Sequence, residues 1–207
     1  MSFICLILSG AALLINGLSL LGRIPARDSG YFNILIGGTQ LVLSVAIAAQ
    51  AGGNTVALLG VSGVFLFGLT YLYVGLDSLR QLGSVGLGWF CGLVAAIGLV
   101  YVVANLALDP VLSVLWLSWV VLWALFFLVL ALGTSRLTVF TGWALIVTSQ
   151  ATTTIPALLG LSGRWPSGAP SAFAALVAVA LLFGAAAVLA RPSSRRATQR
   201  TPDSVPA

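Results

Sequence analysis

The sequence predicts an all-α integral membrane protein, a bundle of six transmembrane helices followed by a seventh C-terminal one. Of its 207 residues 60% are hydrophobic and 6% charged, with mean hydropathy +1.14, whereas soluble domains carry about 25% charged residues. Its apolar residues come in runs of the length a helix needs, about 20 residues, to cross about 30 Å of hydrocarbon. The few charges fall at or beyond the ends of those runs.

Runs bounded by Gly, Pro and charge mark the elements in order. The first, 2–22, has neither a basic n-region nor a small-x-small cleavage site before Arg23, so it reads as a span and not as a signal peptide. The second, 30–50, follows Arg27-Asp28, and the third, 55–79, follows Gly52-Gly53-Asn54. The fourth, 85–107, begins after Gly83-Ser84 and the fifth, 111–132, after Asp109-Pro110. The sixth, 137–161, is the most polar, reading Thr148-Ser149-Gln150-Ala151-Thr152-Thr153-Thr154 before a helix-kinking Pro156. An Ala-rich seventh covers 170–190, and 191–207, rich in Pro, Ser, Thr and Arg, reads as a disordered basic cytoplasmic tail.

Arginine sets the expected orientation, because positive charge is retained on the cytoplasmic side. With the N-terminus outside and the C-terminus cytoplasmic, Arg23, Arg27, Arg80, Arg136 and the tail residues Arg191, Arg195, Arg196 and Arg200 are all inside, leaving only Arg164 outside. An odd number of spans is needed to keep the tail on that side. The net charge of +5 is then explained by a tail on an anionic membrane surface, not by a nucleic-acid partner.

There is no Lys, Glu or His, which argues against metal chemistry and a histidine pH switch, and no cofactor is expected. Cys5 and Cys91 lie inside apolar runs and read as small buried hydrophobes. Glycines such as Gly37, Gly38, Gly88 and Gly92 read as close-packing positions between helices. Asp28, Asp77 and Asp109 map near span ends. A charge at mid-bilayer costs about 2.5 kcal/mol or more and marks ion pathways. With none placed there, passive conduction of a neutral solute is the leading mechanism.

The spans do hold neutral polar groups at helical spacing. Ser2, Ser9 and Asn16 share one face of the first helix, with Leu6 and Leu13 beside it, and Asn33, Gly37, Gln40 and Ser44 cluster on the second. They read either as interhelical glue or as a pore lining. Thr141, Thr148 and Thr152 share a face of the sixth helix, where hydroxyls can also bond back to their own helix. Trp116, Trp119 and Trp123 fall within about 60° of each other on the fifth and cover about 10 Å of its length, further than an interfacial belt reaches. Pattern alone leaves an aromatic lining and plain packing both open.

These residues bring a resemblance into view. The stretches Gly10 to Gly17 with Asn16-Gly17, Asn33 to Gly38 (NILIGG), Phe67 to Tyr73 (FGLTYLY), Leu115 to Trp123 (LWLSWVVLW), and Phe140 to Trp143 (FTGW) followed by Ile155-Pro156 are similar to the AmiS/UreI family of amide and urea channels. The resemblance implies a channel domain over 1–165, six helices in three two-helix repeats with a pore in each protomer, and assembly as a homo-oligomer, a hexamer, in the bacterial cytoplasmic membrane. It implies as solute a small neutral amide or urea, and a functional link to a cytoplasmic amidase or urease. Carried over by motif, the pore-lining residues are Leu6, Leu13, Leu69, Tyr73, Trp116, Trp119, Leu122 and Trp123.

Three departures from the gated member of that family stand out. Gapless alignment puts Thr148 where its sixth helix carries Glu, which makes the expected constriction uncharged and directs selectivity toward larger amides. The histidines of its loops have no counterpart here, so conduction is expected to be nearly independent of pH. The helix at 166–190 is additional, expected to pad the outside of the ring or alter its assembly. A secondary transporter of a small neutral metabolite is the alternative. An enzyme subunit is disfavoured because no catalytic triad, Cys–His pair or phosphate-binding loop is present.

Overall fold

The computed structural model describes residues 3–191; Ser2 and the tail expected from 192 onward lie outside the described residues. Seven helices among these are long and apolar enough to cross a membrane: α1 (Phe3–Leu20), α2 (Ala26–Gln50), α3 (Thr55–Arg80), α4 (Val85–Asn105), α5 (Pro110–Ala131), α6 (Ser135–Leu161) and α7 (Gly168–Leu189). All seven expected spans are present. α2 starts earlier than apolarity alone indicates, because Pro25 precedes it as N-cap and the polar turn Arg27-Asp28-Ser29 is helical.

α1 to α6 form a closed ring in which each helix packs on its neighbour in sequence and α6 returns to α1. Sequence phase explains how α1 and α2 each serve two neighbours. On α1, Ser9 and Asn16 point to α2, whereas the adjacent Gly10 and Gly17 point to α6, Gly10 against Thr153, Thr154 and Ser149 and Gly17 against Gly142 and Ile146. On α2, Asn33 and Gln40 point back to α1, while Gly30 and Gly37 meet Leu79 and Leu72 of α3. Lipid gives helices no hydrophobic reason to associate, so close backbone approach at small residues and interhelical hydrogen bonds supply the attraction.

Side chains fix the helix ends. Asn54 caps α3 by accepting from Val56 and Ala57 N–H (both 3.0 Å). Asp109 caps α5 through Leu112 N–H (2.9 Å), with Pro110 in the first turn where no N–H is missed. On the same end of the bundle, the Asp109 carboxylate also accepts from Trp165 Nε1 (2.9 Å), tying the α4–α5 connection to the segment after α6.

α6 is not a uniform helix. Residues Gln150–Thr154 widen into a π-helix just before Pro156, which accommodates a proline ring that would otherwise clash with the preceding turn. The hydroxyls of Thr148, Thr152 and Thr153 bond the carbonyls four residues back. α7 lies outside the ring against α5 and α6. It buries Ala172, Val179 and Ala186, one residue in seven, and turns Phe173 and Leu181 outward.

The Gly37-Gly38 pair tests this packing. A Cβ on Gly37 would stand 2.5 Å from Leu72 N and 2.7 Å from Gly68 O, both backbone atoms, whereas one on Gly38 meets nothing within 4 Å. Gly37→Ala is expected to destabilise the protein by about 1–3 kcal/mol through overpacking. Gly38→Ala should leave it unchanged or stabilise it by about 0.4–1 kcal/mol. Thermal melts of the purified protein in detergent distinguish the two.

Candidate functional site

α3 presents one stripe to the middle of the ring. At about 100° per residue, Phe67, Thr70, Tyr71, Val74, Asp77 and Ser78 fall within an arc of about 120°, and all six line interior cavities. Phe67 sits midway along α3 among the three indoles, its ring centroid 5.8 Å from Trp116, 5.1 Å from Trp119 and 4.6 Å from Trp123. Trp116 in turn stacks flat on Tyr101, at 4.2 Å and 9°.

Beside Phe67 is a neck of about 20 Å³, walled by Leu13 of α1, Tyr71 of α3 and Trp119, Leu122 and Trp123 of α5. A water needs about 10–15 Å³, so the neck has room for about one. It adjoins a vestibule of about 310 Å³, and Asn16, Val74 and Phe126 line both. The vestibule wall is mixed, setting Asn16, Ser19, Ser29, Asp77, Ser78 and Ser84 beside apolar residues such as Leu20, Leu87 and Leu130. It lies at the end of the bundle that carries Arg23, Arg27, Arg80 and Arg136.

Around the neck the indole N–H groups are engaged, whereas the buried Tyr71 hydroxyl has no hydrogen-bonding partner among the described residues. Trp119 Nε1–H donates to Thr152 Oγ1 (3.2 Å) and Trp123 Nε1–H to Thr70 Oγ1 (3.3 Å). Both threonines donate onward to carbonyls of their own helices, Thr148 O (2.9 Å) and Leu66 O (2.7 Å). The threonines thus hold the indoles in position, and the neck offers ring faces. At its vestibule edge Asn16 and Asn33 form a reciprocal amide pair: Asn33 Nδ2 donates to Asn16 Oδ1 (2.6 Å) and Asn16 Nδ2 to Asn33 Oδ1 (3.0 Å). Ser29 adds a donor to Asn16 Oδ1 (3.1 Å), and one heptad away Gln40 Nε2 donates to Ser9 Oγ (2.9 Å) and the Cys5 carbonyl (2.7 Å).

Of the residues singled out from sequence, Leu13, Trp119, Leu122 and Trp123 meet at the neck. Leu6 and Trp116 are buried in the adjoining core. Leu69 and Tyr73 are elsewhere: with Leu72, Leu76 and Phe90 they line a separate groove on the outer side of α3, where Leu69 is 42% exposed. A two-residue step on a helix turns about 200°, so within FGLTYLY the inward pair is Phe67 and Tyr71. Thr148 is buried behind the neck, its hydroxyl donating to Ala144 O (2.7 Å). Phe67, Tyr71 and Asp77 were absent from the sequence-based set, although the arc they share with Thr70 and Val74 is readable in the sequence.

Comparison with known proteins gives three further findings. A family model described as AmiS/UreI family transporter matches residues 1–164, ending just before α7. A protein of Rhodococcus erythropolis described as the transporter AmiS2 is 43% identical over 196 residues, 94% of this chain and 95% of its own. That alignment leaves too few residues over to exclude α7. One of Mycolicibacterium smegmatis, described as a transporter of amidate substrates, is 38% identical over 189 residues, 90% of this chain and 87% of its own. Two structures of the Helicobacter pylori urea channel share the fold, one by crystallography (TM-score 0.71) and one by cryo-electron microscopy in a closed state (TM-score 0.72). Each is 24% identical, covering 80% of this chain and 100% of the channel.

The Asn16–Asn33 pair yields a stability prediction. Because each amide satisfies the other, a double-mutant cycle with Asn16→Ala and Asn33→Ala is expected to give a favourable coupling of about 0.6–1.7 kcal/mol, from the average to the maximum found for hydrogen bonds within membranes. Equilibrium unfolding in mixed micelles measures it.

Proposed function

This chain belongs to the AmiS/UreI family of transporters, and from that premise we propose that it is a passive channel for urea and short-chain aliphatic amides in the bacterial cytoplasmic membrane. Its relatives are transporters and channels, not enzymes. The observation that carries the channel reading is the neck itself, an uncharged slot of Leu13, Phe67, Trp119, Leu122 and Trp123 in mid-ring, adjoining a partly polar vestibule. A flat neutral amide can slide along indole and phenyl faces. A hydrated ion would lose its water there with no charge or ring of carbonyls to replace it. Phe67, lodged among the indoles, must shift for anything larger than water to pass, so conduction is coupled to side-chain motion.

The arginine distribution supports a vestibule on the cytoplasmic side with the N-terminus outside. There it would deliver solute to a cytoplasmic amidase or urease. Each protomer contains its own neck, so the hexameric ring proposed for the family would multiply pores without building a shared one. The chain has no His, the side chain whose ordinary pKa lies between pH 5 and 8, which supports conduction without a proton gate.

Stopped-flow swelling of proteoliposomes tests the reading. Urea and acetamide are expected to equilibrate downhill with no ion gradient, at rates varying less than about twofold between about pH 5 and 7.5. Dependence on a gradient, or accelerated counterflow, would establish the secondary transporter instead, and a jump in rate on acidification would establish a gate.

The lining is tested separately. Trp119→Ala, Trp123→Ala and Phe67→Ala are expected to change the ratio of urea to larger-amide permeability at least about threefold by opening the slot. Leu69→Ala, on the outer face, should not. Unchanged ratios in all three neck variants would put the path elsewhere.

A further inference from the structure

Asp77 is placed where the proposed conduction path leaves the neck. It lies on the inward stripe of α3, one turn or about 4.5 Å beyond Val74, and Val74 lines both the neck and the vestibule. The residue is buried, yet its side chain forms part of the vestibule wall together with Asn16, Ser29 and Ser84. Among the described residues its hydrogen-bonding partners are the backbone N–H of Ser84, which donates to Oδ1 (3.0 Å), and the Ser84 hydroxyl, which donates to Oδ2 (2.5 Å). Among the described residues no arginine forms an ion pair with it. The carboxylate is held firmly, because Ser84 sits in the left-handed region (φ +61°) at the start of α4, behind Gln81 (φ +53°) and Gly83 (φ +95°), and gives its hydroxyl to Asp77 instead of capping its own helix.

A carboxylate accepts about four hydrogen bonds, and Ser84 takes two. We propose that the remaining acceptor capacity of Asp77 is a recognition site for solutes bearing N–H donors, a subsite at the inner mouth of the neck that selects primary amides and urea over solutes of similar size without N–H groups. This deepens the channel reading and rests on it. The neck sorts by size, shape and absence of charge, but its uncharged acceptors, such as the Tyr71 hydroxyl, hold an N–H group more weakly than a carboxylate does, so it does not itself require one. Asp77 supplies that requirement where water is still present. Solute is therefore caught without being trapped, since a hydrogen bond to a charge in partly wet surroundings is worth only a modest factor. The same site would take guanidinium, a planar cation with urea's outline, which the uncharged neck does not pass.

The experiment compares acetamide with N,N-dimethylacetamide in proteoliposomes, with the rates of bare lipid subtracted. Wild-type protein is expected to favour acetamide, and Asp77→Asn to lower that ratio by roughly threefold to tenfold, the worth of one charged hydrogen bond partly screened by water. Asparagine can still pair with Ser84, so the loop is kept. Comparing wild type and variant cancels the effect of size in the neck, and taking a ratio cancels differences in the amount of inserted protein. Leu69→Ala, on the outer face of α3 and away from both cavities, should retain the wild-type ratio within about twofold.

Millimolar guanidinium chloride provides a second readout on unmodified protein. It is expected to slow acetamide flux through the wild type more than an equal concentration of sodium chloride does. An unchanged ratio in a conducting Asp77→Asn variant would overturn the proposal, as would an equal shift in Leu69→Ala or an acetamide flux indifferent to guanidinium. Wild-type vesicles no leakier to acetamide than bare lipid would overturn the channel reading itself.

Discussion

Within hydrocarbon no water is available to a polar group, so buried donors and acceptors are under strong pressure to pair inside the protein. Much of this structure follows from that constraint. It explains why the neutral polar residues of α1 and α2 are in register, Asn16 with Asn33 and Ser9 with Gln40, and why the threonines of α6 bond carbonyls one turn back. In the π-helix before Pro156, which packs on α1, it is met by burial of Thr152 and Thr153 with their hydroxyls on carbonyls of their own helix. The polar ladders and the glycine contacts are two parts of one device. Polar groups specify which helix faces which, and missing side chains let the backbones come near enough for those groups to meet.

The same rule shapes the neck. An indole N–H left free in an apolar constriction would bind passing solute too tightly or go unsatisfied when none was there. Here Thr152 and Thr70 engage the N–H groups of Trp119 and Trp123. With those donors occupied, the neck presents ring faces and aliphatic edges, together with the Tyr71 hydroxyl, which has no partner among the described residues. Flat walls whose indole N–H groups are already engaged suit rapid passage better than adhesive ones.

Much of the fold was legible beforehand, since apolar length and charge placement in a membrane chain report directly on where helices begin and end. All seven spans were readable, and so was the meeting of three tryptophans on one face of α5. What sequence did not give was rotation about each helix axis. Leu69 and Tyr73 lie only two residues from Phe67 and Tyr71, yet that step turns the side chain to the opposite face, and a motif matched as a string carries no phase. The phase was recoverable from the stripe itself: Phe67, Thr70, Tyr71, Val74 and Asp77 follow the helical period and run from aromatic to charged, while Leu69, Leu72, Tyr73 and Leu76 form the apolar stripe opposite. Thr148 was misleading for another reason. It shares the face of Thr152, but a hydroxyl that can bond its own backbone gives no signal of which cavity, if any, it reaches.

The two faces of α3 also show how a membrane protein can carry a charge on a conduction path at small cost. A carboxylate beside Phe67 would stand at mid-bilayer, where its insertion is costly and where it would attract the cations a neutral-solute channel must refuse. Ten residues further along the same stripe, at the foot of the helix, the same group is in a partly polar vestibule with a backbone N–H and a hydroxyl to hold it. In the proposed reading, exclusion and recognition are separated along a single helix face. The uncharged middle decides what is refused, and the charged end is free to discriminate among what remains, because a cation drawn to Asp77 still confronts a neck that offers it nothing in exchange for its water.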